Sequence, residues 1–289
     1  GNSSITPSAD AHHIYAMPVK GQTLTLDGYT GEADIWKSQQ GTLLINGEVN
    51  TTGHLIVSEG TLRVNGKVKG NVDLRARGIL TGHGTIGGIL TEGSLNEAEG
   101  VIRPSGTLSI DSDVCIDKNT FIEIDLDKPT LLQINGNLEV SADLIFLINA
   151  KKLEEGEYRL VSFTGTFSGD TRHLLTRGIT GLSYRIVEKD QAVVLVVNGQ
   201  RAPAQNVTWT GAESGEWDYL TENWTLNGQP TTFVAGDRLL FDDSASSTTV
   251  SINELMPVAE VEVNASKSFT FQGDGGLSGS CSLVKNGTG

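Results

Sequence analysis

Short aliphatic runs, often alternating with polar residues, make up most of this chain. Thr23–Leu26, Thr42–Ile45, His54–Val57, Thr61–Val64, Asn71–Leu74 and Ile79–Thr81 stand between Gly and Asn-Gly punctuation. The alternation has a period of two and β-branched residues are frequent, which predicts strands. No stretch carries an apolar stripe at i, i+3, i+4, i+7 of useful length. Longer strands are expected at Phe121–Leu126, Leu131–Ile134, Leu138–Val140, Leu144–Ile148, Tyr158–Phe163, Tyr184–Val187 and Ala192–Val197. The last is almost wholly apolar and should be buried on both faces. The fold class is all-β.

One phrase recurs. Gly41–Gly47 reads GTLLING and Gly60–Gly66 reads GTLRVNG, nineteen residues later. Its core, an aliphatic residue followed by Asn-Gly-x-aliphatic, appears at Ile45–Val49, Val64–Val68 and Ile134–Leu138. Self-similarity at a period near 20 is the mark of a solenoid, in which each repeat is one coil stacked on the next. Asn-Gly between strands also signals tight hairpins, so a meander or sandwich is the rival. The fixed spacing favours a parallel β-solenoid (β-helix), closed at its far end by the longer middle strands.

Three regions follow. Residues 1–20 are polar and aperiodic and read as an N-terminal arm, with the charged turn Lys151–Gly156 and the linker Arg201–Gln205 punctuating what comes later. Residues 21–200 form the solenoid with its closing strands. Residues 206–289 form a second β-rich unit led by Trp209, Trp217 and Trp224, with strands at Arg238–Phe241, Thr248–Ile252, Val258–Val263, Ser268–Gln272 and Ser282–Lys285.

The balance of 35 acidic against 21 basic residues gives a net charge of −14, which disfavours nucleic acid and other polyanions as partners. Cys115 and Cys281, the two cysteines, form no metal cluster or disulfide framework and read as two buried thiols, with a bridge between them as the alternative. There is no apolar run of the ~20 residues a membrane helix needs. The chain begins with Gly and ends in Lys285-Asn-Gly-Thr-Gly289, so it reads as a piece of a longer polypeptide.

A resemblance adds to this reading. Leu80-Thr-Gly-His-Gly-Thr-Ile-Gly-Gly88, Gly100-Val-Ile-Arg-Pro104 and Gly106-Thr-Leu-Ser-Ile110 resemble the closing coils of bacterial autotransporter passenger domains. Trp209-Thr-Gly211, Gly215-Glu-Trp-Asp218, Asn223-Trp224, Gly236-Asp237 and Phe241-Asp-Asp243 are similar to the autotransporter-associated β-strand repeat. The resemblance implies a right-handed solenoid, exported to the cell surface or beyond, as stalk, spacer or adhesion module. It implies no catalytic residue. The ~10-residue amphipathic strands of a membrane barrel are not assembled here.

Candidate chemistry is sparse. Gly82-His83-Gly84 resembles the histidine motif of β-helical polygalacturonases, and Asp242-Asp243 resembles their aspartate pair, but the order is reversed and His83 also fits a Gly-x-Gly turn. His12-His13 is a poor chelating pair on an extended chain. Glu123, Asp125 and Asp127 alternate with Ile124 and Leu126, next neighbours ~7 Å apart on one strand face. They are a solvated face, a site for a hard cation such as calcium, or an acid–base pair. Asp237, Asp242 and Asp243 are turn aspartates or oxygen ligands. Arg63, Lys67, Lys69, Arg75 and Arg77 form a basic run that would meet an acidic glycan or simply keep a flank soluble. Trp209, Trp217 and Trp224 are either a sugar-stacking platform or core. No cofactor motif is present. The expectation is a non-catalytic scaffold, with a carbohydrate-binding or polysaccharide-degrading β-helix as the alternative.

Overall fold

Alternation along a strand sends every second side chain inward, and in a parallel stack the inward residues of successive coils fall in line. The computed structural model describes residues 2–5, 12–75, 77–91, 100–177, 179, 182–200, 205–278 and 281–289. Among them the chain is all-β apart from one 3-10 turn at Thr171–His173, and its parallel strands stack as a β-solenoid of about 12 turns. Two units are distinguished, one of residues 1–151, 158–178 and 186–194, the other of residues 152–157, 179–185 and 195–289. Two short segments before residue 200 therefore belong with the C-terminal part.

In the first unit the inward lines are explicit. Leu43, Leu62, Leu80, Ile102, Ile122 and Phe146 stand in register on successive coils, each at most 2% exposed. Val49, Val68, Ile86, Ile110, Ile134 and Phe163 form a second buried line. Ile35, Leu55 and Val72 form a third. Further along the stack, Val114 with Leu138 and Ile116 with Val140 supply inward positions on a sheet of three short strands. Burying each such side chain contributes roughly 1.5–3 kcal/mol, set against the entropy of ordering the chain.

Part of the expected N-terminal arm is a coil. Asn2–Ile5 pairs parallel with the strand Thr23–Gly31, and His13–Ala16 pairs parallel with Asp34–Lys37. Ile14 and Ala16 are buried. These strands lack the Gly-Thr-Leu phrase, so their place rests on backbone pairing with a neighbour rather than on local period.

The recurrent phrase turns corners. Asn65 N–H donates to Ile45 O at 2.9 Å, and His83 N–H donates to Val64 O at 3.0 Å in the next coil. A Cβ on Gly66 would lie 2.1 Å from Gly47 O, and one on Gly84 would lie 2.1 Å from Gly66 O. The glycines are required by the contact between coils, since neither Gly66 nor Gly84 has a positive φ. Ile45–Val49 and Val64–Val68 run from the first line to the second. Ile134–Leu138 instead runs from the second line to the short-strand sheet, so the same phrase serves two corners.

The longer middle strands divide between the two units, since residues 179–185 and 195–200 belong with the second. Ala192–Val197 is buried throughout, and the strand Ala192–Gln200 pairs with Gly156–Phe163. It is reached by a two-residue turn at Asp190 (φ 51°) and Gln191 (φ 54°), flanked by reciprocal Lys189–Ala192 backbone bonds of 2.9 and 3.0 Å.

In the second unit Asn206–Trp209, Arg238–Asp242, Glu260–Asn264 and Ser282–Asn286 run parallel. Val207, Leu239 and Val261 form their inward line, and Leu283 continues it but is 69% exposed. On the opposite edge, Asn206–Trp209 pairs antiparallel with Trp224–Leu226, which pairs antiparallel with Gln229–Thr231 through Asn227-Gly228. There both φ angles are positive, at 53° and 80°. Here Asn-Gly is a true hairpin tip. One edge of this unit is capped, and the other carries exposed apolar residues.

Candidate functional site

The carboxylates Glu123, Asp125 and Asp127 do not share one strand face. Glu123 and Asp125 point outward from Thr120–Asp125, while Asp127 lies beyond the strand in a turn. Their partners come largely from neighbouring coils. Arg103 Nε donates to Glu123 Oε2 at 2.6 Å, and Asn149 Nδ2 donates to Glu123 Oε1 at 2.9 Å. Lys128 pairs with Asp125, and that hydrogen bond holds the Asp125 carboxyl below the usual carboxylate range. Lys151 N–H donates to Asp127 Oδ2 at 3.0 Å. The oxygens are thus turned to protein donors. Among the described residues no group of three or more His, Cys, Asp or Glu converges as a cation site.

Trp209, Trp217 and Trp224 present no stacking platform, being 0%, 1% and 1% exposed. They form the core of the second unit with Phe233 and Phe241. Trp224 meets Trp209 edge-on at 5.0 Å and Trp217 edge-on at 5.3 Å. Asn223, fully buried, organises the loop above them. Its Oδ1 accepts from Glu213 N–H and Ser214 N–H, and its Nδ2 donates to Ser214 Oγ and Glu216 O. The recurrent Trp and Asn positions are therefore architectural in this chain.

The remaining candidates are local or solvated. His83 is an exposed corner residue of the first unit. In the second unit, the backbone N–H groups of Lys267 and Ser266 and the Ser266 hydroxyl donate to Asp243, holding its carboxyl low. Asp242 accepts from Ser244 N–H at 2.9 Å. Asp237, fully buried, accepts from Gln205 N–H and Val234 N–H. Lys67 pairs with Asp111 and Lys69 with Glu48, so these two lysines of the basic run have acidic partners on neighbouring coils. His13 Nδ1 lies 3.9 Å from Asp34 Oδ2. Cys115 is exposed and Cys281 partly so, both as free thiols. Cys115 escapes the expected burial because it is the outward residue between the inward Val114 and Ile116.

What the fold does assemble is an outward row on the first unit. Tyr15, Trp36, Ile56, Asp73 and Leu90 stand in register on five adjacent parallel strands. Tyr15 is 61% exposed and Leu90 44%, while Ile56 and Asp73 between them are 4% and 5% exposed. Arg75 spans the middle of the row. Its Nε and Nη2 donate to Asp73 Oδ2 at 3.0 and 2.8 Å, and its Cζ lies over the Trp36 ring, 5.3 Å from the centroid. Asp73 Oδ1 is buried without a hydrogen-bond partner. Trp36 stands apart from the Trp-rich segment in sequence, and only the coil alignment places it beside Tyr15. Ile14 and Ile35 inward imply Tyr15 and Trp36 outward, which is the signal that finds the row.

Chemically the row combines an exposed phenol ring, an indole and an Arg–Asp fork. It holds no nucleophile–base pair. No family model matches the chain, and no curated protein matches it. Among the described residues no helix is long and apolar enough to cross a membrane.

Proposed function

We propose that this chain is a non-catalytic β-solenoid module of a secreted or surface-exposed protein, serving as a stalk, spacer or interaction surface. The observation that carries the reading is the division between inside and outside. Six successive coils keep an aliphatic or aromatic residue on each of two unbroken inward lines. Glu123, Asp127, Lys67 and Lys69, singled out by their pattern, are engaged by residues of neighbouring coils. Such a stack is a rigid frame for outward side chains. The likeness of its corners and Trp-led segment to autotransporter passengers supports export and surface display.

The competing reading is a polysaccharide lyase or hydrolase. Incubation of the purified chain with polyuronides and neutral polysaccharides is expected to release no reducing ends and no unsaturated product. Turnover that disappears in Glu123→Gln would overturn the proposal, because it would make the outward carboxylates catalytic.

A further inference from the structure

The second unit is open on one side. Among the described residues, Thr270–Gln272, Gly276–Ser278 and Ser282–Asn286 each pair with a strand on one side only. Their inward residues Phe271, Leu277 and Leu283 are exposed, although each stands in register on a buried one, Val250, Met256 and Val261. Three inward lines thus reach one surface together, beside three strand edges. We propose that this surface is a self-association site, on which a second copy of the chain seats the same surface in a two-fold pair.

A lysine shows what kind of group the surface receives. Lys285 continues the inward line of Phe241 and Val263. Its ammonium donates to Asn286 O at 2.7 Å and Gly287 O at 3.3 Å, and Gly287 has a φ of 71°. Lys37 in the first unit is held in the same way by Ser38 O and Gln39 O, with a φ of 65° at Gln39. Lys37 also donates to Glu59 O on the coil that follows. An ammonium has three donors, and the place that Glu59 O takes at Lys37 is open at Lys285. An arriving strand brings the backbone carbonyl that fills it. An inward lysine on an edge strand ordinarily discourages pairing. The charge of Lys285 is already turned to the carbonyls of its own turn, as that of the buried Lys37 is.

Three observations select a second copy as the occupant. The surface continues an interface this unit already uses, Arg238–Asp242 on Glu260–Asn264 and Glu260–Asn264 on Ser282–Asn286, so what fits is another β-coil surface with apolar inward residues. The charge permits self-contact, since residues 265–289 carry Lys267 and Lys285 against Asp274, two positive charges to one negative, in a chain of net charge −14. The other strand edges do not match it. The outer strand of the hairpin, Gln229–Thr231, holds Pro230, which has no N–H to offer. In the first unit the edge strand His13–Ala16 has its inward Ile14 and Ala16 buried. The open surface therefore meets its own copy, an isologous contact that closes at two.

The pair deepens the interaction-surface part of the scaffold reading and fails separately from it, because it needs only the coil stack of the second unit. The full chain is taken to sedimentation equilibrium from low to high micromolar concentration, with amide hydrogen exchange followed at both ends of the range. A monomer–dimer equilibrium that stops at the dimer is expected, with slower exchange across Ser282–Asn286 in the dimer. Leu283→Lys is expected to raise the dissociation constant about tenfold or more, the scale of losing one buried aliphatic contact on each copy. Leu283 is mostly exposed, so this variant keeps the fold, and Phe271→Lys tests a second inward line. A monomer at every concentration, a series growing past the dimer, a dimer with unchanged exchange across Ser282–Asn286, or a dimer untouched by Leu283→Lys and by a folded Phe271→Lys overturns the pair. Polysaccharide turnover would instead overturn the non-catalytic scaffold and leave the pair standing.

Discussion

Lys37 stands in an inward line whose next members are Val57 and Leu74. It is fully buried, and its ammonium donates to the carbonyls of Ser38, Gln39 and Glu59 at 3.0, 2.7 and 2.8 Å. These bonds knit the turn at Gln39 (φ 65°) to the following coil at Gly60. Burial lowers the Lys37 pKa to about 8, with the Glu59 charge opposing. The unfolded chain holds that proton to about pH 10.4. Between those values the unfolded state binds more protons, so this group's contribution to stability rises with pH, by up to roughly 3 kcal/mol. Urea melts from pH 7 to 10 are expected to show the wild type gaining on Lys37→Met across that window. A difference that stays flat, or falls, would show that the three carbonyls hold the charge without penalty.

At the scale of elements, the same dipeptide does two jobs. Asn227-Gly228 makes a hairpin with both residues in the left-handed region, and a Cβ on Gly228 would meet open space. Asn65-Gly66 makes a corner without positive φ, where a Cβ would strike the backbone of the coil beneath. Gly228→Ala should therefore cost about 1–2 kcal/mol of backbone strain. Gly66→Ala should cost more, because two coils must separate locally. Thermal melts of the pair decide this, and equal losses would mean that coil spacing is soft. Alternation made the inward lines legible, since Leu43, Leu62 and Leu80 need only a period of two and a repeat. The Asp190-Gln191 turn was not legible, because Gln seldom adopts positive φ and no Gly marks it. Nor was the fate of Glu123, whose partners Arg103 and Asn149 lie a coil away in either direction. Trp36 carries no local signal of its place, because only the coil register sets it beside Tyr15, while the conspicuous Trp cluster is core.

At the scale of the molecule, the second unit carries an exposed apolar edge. Phe271, Leu277 and Leu283 are 42%, 38% and 69% exposed, each stacked in register on a buried residue: Val250, Met256 and Val261. An exposed strand with apolar side chains templates pairing with another chain. Sedimentation velocity of this chain is expected to show association that grows with concentration and is suppressed in the Phe271→Lys, Leu283→Lys double variant. Monomeric behaviour of the wild type at high concentration would show that this edge is not adhesive.

The inward lines hold their register although the coils differ in length. Nineteen residues separate Val49 from Val68, and twenty-nine separate Ile134 from Phe163. The surplus is absorbed at corners such as the exposed Lys151–Glu155 stretch, leaving the interior undisturbed. Position in such a chain is thus an address with two coordinates, the coil and the corner. A foreign peptide grafted at an exposed corner would be presented at a height fixed by its coil number, and two grafts on different coils would stand apart by a whole number of strand spacings.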